Sequence, residues 1–92
     1  MAKYLIEVPH EANMAACSRA VQVFLSSGSH FLVNADWGCG DGEHKAWMIV
    51  DVENKEQARS IVPSFYQPET KIVALNRWRP EKNDEDQRYH KS

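Results

Sequence analysis

The side chains best able to do chemistry gather in or near one stretch, HFLVNADWGCGDGEHKAWMIVDV, from His30 to Val52. It holds Asp36, Cys39, Asp41 and His44. His10 stands apart, just after Pro9. An imidazole that titrates near neutrality beside a carboxylate can move a proton in a small-molecule isomerisation or lyase step. His10 with Asp36, or His44 with Asp36, are the candidate pairs. Cys39 becomes a nucleophile if a helix N-terminus or an imidazolium favours its thiolate. Imidazole and thiolate also suit soft divalent ions, and His10, Cys39 and His44 with Asp36 or Asp41 would supply three or four ligands. However, Cys39-x4-His44 is not a zinc spacing, and there is no CxxC or HxxxH pair. Neither a metal nor a cofactor is therefore expected. For each residue alone there is a plainer expectation: a helix cap for His10, a strand end for His44, a small turn residue for Cys39. GCGDG is no phosphate loop, since it lacks the Lys-Ser/Thr pair and joins two strands.

These residues need elements to hold them. KYLIEV, residues 3–8, reads as a first strand that Pro9 ends. A helix follows from His10 or Glu11 to Ser27, with an apolar stripe of Met14, Cys17, Val21, Phe24 and Leu25. Cys17 on that stripe is expected to be core packing. Gly28 suits the position just past the helix, where positive φ is needed. A second strand is expected over His30–Trp37 and a third over His44–Val52, joined by a turn whose Gly38, Gly40 and Gly42 accept unusual backbone angles. Trp37 should face the core. The third strand is apolar on both faces, as a central strand would be. Asn54 and Gln57 form a capping-box pattern for a helix over Lys55–Val62. A fourth strand is expected over Lys71–Trp78, and Pro80 stops it.

The chain has 92 residues, which is one domain's worth. Residues 1–79 form the expected domain, and 80–92, charged and poor in apolar residues, the expected mobile tail. Arg77, Trp78 and Arg79 are expected to pack on a neighbouring subunit and pair with the acidic tail. Hydrophobic residues make up 42% and charged residues 26%, as in ordinary globular proteins. The net charge of -2 offers no basic field, so nucleic acid is not an expected partner. No apolar run is long enough for a membrane span, and YLIEV before Pro9 is no signal-peptide core. A cytoplasmic location with reduced thiols is expected.

Strand, helix, strand, strand, helix, strand is the split βαβ order: a four-stranded antiparallel sheet, order 4-1-3-2, with both helices on one face. Residues 3–78 thereby resemble the dimeric α+β barrel superfamily of ferredoxin-like proteins. That group includes small isomerases, cofactor-free monooxygenases, muconolactone-isomerase-like proteins and YCII-like proteins. The resemblance implies a homodimer. The residues agree: Leu5, Leu32, Trp47 and Ile49 would leave an apolar patch on the open face for a second copy. The topology should bring His10, Asp36, Cys39, Asp41 and His44 to one end of the sheet. The expected function is small-molecule binding near the turn between strands 2 and 3, with Trp47, Cys39 and Asp41 in contact. An isomerase or lyase using a His–Asp pair and a ligand-free homodimeric interaction module are the alternatives.

Overall fold

The computed structural model describes residues 1–78; the expected tail and Arg79 lie outside the described residues. The protein is a small α+β domain on an open, antiparallel sheet of four strands. The strands are β1 (Ala2–Pro9), β2 (Asp36–Trp37), β3 (Lys45–Val52) and β4 (Lys71–Leu75), in spatial order β2-β3-β1-β4. From the β4 edge this reads 4-1-3-2. The helices are α1 (Met14–Ser26), α2 (His30–Val33) and α3 (Lys55–Ile61).

Alternation puts Tyr4, Ile6 and Val8 of β1 on the same side as Ala46, Met48, Val50 and Val52 of β3. Ala20 and Phe24 of α1 and Ala58 of α3 close over them, so one face carries the core. The side of α1 that packs is Ala16, Cys17, Ala20 and Phe24. Met14 and Leu25, expected on the stripe, are exposed instead. The helix starts later than expected because Asn13 is the cap: its side chain accepts from the Ala16 N–H at 2.7 Å. Gly28 does take positive φ, at 78°. At α3, Asn54 accepts from the Gln57 N–H at 2.8 Å, and the Gln57 side chain returns to the Glu53 N–H at 2.9 Å.

The second strand is the main correction. Only Asp36 and Trp37 pair with β3, whereas residues 30–33 form α2. Local side-chain bonds outcompete the ladder there. Ser29 caps the Leu32 N–H, and the Asn34 amide donates to the His30 carbonyl at 2.8 Å. The alternating Phe31 and Val33 are consequently exposed, and Leu32, expected on the open face, is buried in the core.

Candidate functional site

The end of β1 delivers His10, and the link from β2 to β3 delivers Cys39 and His44. The His10 N–H donates to the His44 carbonyl at 3.0 Å, continuing the β1–β3 ladder one step past Pro9. The connection between them is folded on itself. The Gly38 carbonyl accepts from both Asp41 and Glu43, at 2.9 Å each, and the Gly38 N–H donates to the Lys45 carbonyl at 3.0 Å. Gly42 takes φ of 84°, in the left-handed region, and its N–H donates to the Cys39 carbonyl. This tight turn, Cys39–Asp41, aims the Cys39 sulfur at His10: Sγ lies 3.2 Å from Nε2.

The two imidazoles meet edge-on, with ring centroids 5.6 Å apart. Trp37 packs against His10 at 6.0 Å and against Phe24 at 4.9 Å, so the cluster rests on the core as expected of that residue. One donor atom from each of His10, Cys39 and His44 falls within a 4.8 Å group. The Nδ1 atoms of both rings are buried, with no hydrogen-bond partner among the described residues. Burial, and then the neighbouring His44 ring, lower the His10 pKa, which leaves that ring neutral at pH 7. Burial, and then interaction with the Cys17 thiol, push Cys39 up to about 11. The thiol therefore keeps its proton in the absence of a cation, with its sulfur within hydrogen-bond distance of the His10 ring. A protonated thiol with no imidazolium beside it is a poor nucleophile, which removes the main ground for covalent chemistry at Cys39.

The expected His–Asp pairs do not form. Asp36 shares its pleat with the open face, because its neighbour Trp37 takes the core side. None of the hydrogen bonds or ion pairs among the described residues joins Asp36 to a histidine. Asp41 is exposed and lies outside the three-residue group. Trp47 also stays on the open side, where its Nε1 donates to Glu7 at 3.2 Å. Cys17 is buried near the start of α1, where core packing was expected, and it adds to the upward push on the Cys39 thiol. Its place one turn after the Asn13 cap was the signal, since that turn follows His10 directly.

Beside His10, on the helix side, lies a cleft of about 600 Å³. The end of β1 and the start of α1 form one wall, with Pro9, Glu11 and Arg19. A 3₁₀ segment, Ser64–Glu69, forms the other with Phe65 and Tyr66. That wall is fixed from behind. Arg59 donates to the Gln67 and Thr70 carbonyls at 3.1 Å, and the Gln67 amide donates to the Val62 carbonyl at 2.7 Å. Cys39, Asp41 and Trp47 do not line it. Comparison with protein-family models, curated proteins and solved structures finds no match for this chain.

Proposed function

We propose that the chain binds a small organic molecule in the cleft beside His10. The observation that carries this is the cleft itself: about 600 Å³, within the usual range for ligand pockets, with Pro9, Phe65, Tyr66 and Pro68 in its walls beside four polar groups, His10, Glu11, Arg19 and Glu69. Phe65 is 79% exposed at its edge and meets Tyr66 edge-on at 5.0 Å, which leaves most of its ring open toward the cleft. Phe65 and Tyr66 would stack on the ligand body, while Arg19, Glu11 and His10 would fix its orientation. The binding place moves accordingly from the turn between β2 and β3 to the opposite side of His10. An isomerase or lyase has less support, because among the described residues neither His10 nor His44 has a carboxylate partner.

The test is a fragment screen by amide-resolved NMR on the full chain. Hits should shift the amides of Arg19, Phe65 and Tyr66, and Phe65→Ala should weaken them about tenfold, the loss of a ring contact worth about 1 kcal/mol or more. Phe65 is exposed, so the variant keeps its fold. A second, open groove lies between α2 and β3, lined by His30, Phe31, Asn34 and Ile49; hits confined to it, or unchanged in Phe65→Ala, would remove the cleft as the site.

A second feature favours a homodimer of the ferredoxin-like type. The open face carries Leu5, Trp47 and Val73 around Ile49, which is 60% exposed. Each end of this face holds one cation and one anion, Lys3 with Asp51 at 3.8 Å and Lys45 with Glu7 at 3.6 Å. A second copy turned about a two-fold axis meets the same apolar centre and can exchange these charges. The strand order and the alternation of helices and strands support membership of that superfamily. No described helix is long and apolar enough to cross a membrane.

A further inference from the structure

We infer that His10, Cys39 and His44 together bind one soft divalent transition-metal ion, with zinc the first candidate. Around a tetrahedral zinc, with bonds of about 2.0 Å to nitrogen and 2.3 Å to sulfur, neighbouring donors stand roughly 3.3–3.6 Å apart. The Cys39 Sγ and His10 Nε2 are 3.2 Å apart, already near that spacing. All three donors lie within 4.8 Å of one another, so the group closes on an ion by about an ångström. Among the described residues no other group of His, Cys, Asp and Glu side chains meets this condition.

The scaffold explains why these three meet. The His10 N–H to His44 carbonyl bond, 3.0 Å, holds the two histidines side by side at the end of the sheet. The doubly accepting Gly38 carbonyl fixes the turn that carries Cys39. His10 and Cys39 are 29 positions apart, so no local spacing could announce the set. Buried polar atoms are ordinarily paired, yet among the described residues His44 Nδ1 has no partner, while His10 turns Nε2 toward the Cys39 sulfur. An ion in this group would orient both rings.

The donor chemistry selects the ion. Two imidazoles and one thiolate suit zinc, cobalt, nickel or copper, and the absence of any carboxylate from the group disfavours magnesium and calcium. On binding, the Cys39 S–H bond breaks, its proton passes to solvent, and the electron pair left on sulfur forms the metal–sulfur bond. Each imidazole contributes a lone pair from one ring nitrogen and changes no other bond. Nothing is oxidised or reduced. The ion takes the place of whichever proton bridges Cys39 Sγ and His10 Nε2, 3.2 Å apart. Three protein donors leave a fourth position for solvent or a further ligand. This inference stands apart from the identity of any molecule in the cleft.

The test uses the full chain, stripped by a chelator and titrated with cobalt(II) alone. One equivalent should saturate the protein, with a near-ultraviolet thiolate-to-cobalt band and visible bands of a four-coordinate ion. Cys39→Ser should diminish the near-ultraviolet band, and His44→Asn should weaken affinity by roughly 100-fold or more, at least as much as loss of an outer-shell partner. Asp36→Asn and Asp41→Asn should leave both readouts unchanged. If either ligand variant fails to fold, the wild type still decides: one equivalent of zinc should shield the half-exposed Cys39 from a thiol reagent. Unsaturable cobalt uptake, a band indifferent to Cys39→Ser, or no shielding by zinc would overturn the site.

Discussion

At Gly38 a methyl group would sit 2.7 Å from the Glu43 carbonyl oxygen and 2.7 Å from the Trp47 ring. The first of these contacts is backbone and cannot swing aside. Gly38→Ala should therefore destabilise the domain by about 1–3 kcal/mol, the range for forcing extra volume into a packed site. In a domain of this size that lowers the melting temperature by roughly 4–8 °C per kcal/mol, measurable by circular dichroism. Gly40→Ala is the control, since nothing lies within 4 Å of its added carbon, and it should melt close to the wild type. The three glycines were legible as a group in the sequence, but their roles were not. Gly42 supplies positive φ, Gly38 supplies room, and Gly40 supplies neither. His10, Cys39 and His44 were legible as residues at one end of the sheet. The face of Asp36 was legible, opposite the core-facing Trp37, but that same face keeps its carboxylate on the open side, away from the histidines it was expected to pair with.

Helix α1 depends on its first turn. The Asn13 side chain satisfies the Ala16 N–H at 2.7 Å, and no acidic residue follows within that turn to help it. Asn13→Ala should cost about 1 kcal/mol in a urea melt, with an unchanged slope against denaturant. Asn54→Ala at α3 should cost a similar amount. The cap of α3 was readable because Asn54 and Gln57 stand at capping-box spacing before an apolar run. The cap of α1 was hidden behind Glu11, which offered a competing start. Residues 30–37 show the limit of periodicity most clearly. Phe31, Val33, Ala35 and Trp37 alternate as a strand does, yet Ser29 and Asn34 supply bonds that favour a helical turn. Only Leu32 of that turn is buried.

For the whole domain, element order and the right-handed crossover left few topologies, which is why the strand order could be reasoned from sequence. Partners leave a fainter trace, an apolar open face centred on Ile49. Ile49→Lys, placed opposite the same residue of a second copy, should convert a dimer to a monomer by sedimentation. The single chain's fold should survive, because Ile49 is 60% exposed within it. A monomeric wild type, or a variant that remains dimeric, would exclude this face as the interface.

Strand β2 is joined to β3 at only two residue pairs, Asp36 with Trp47 and Trp37 with Ala46. The rest of the sheet is held by far longer ladders, eight pairs between β1 and β3 and five between β1 and β4. The segment from α2 to Gly42 is thus tied to the sheet by its shortest ladder, the kind of place where local opening begins. Cys39 rides on that segment, whereas His10 belongs to the stable frame. A bound ion bridging the two would act as a clasp, turning this lightly tied part of the molecule into one that opens only when the ion leaves.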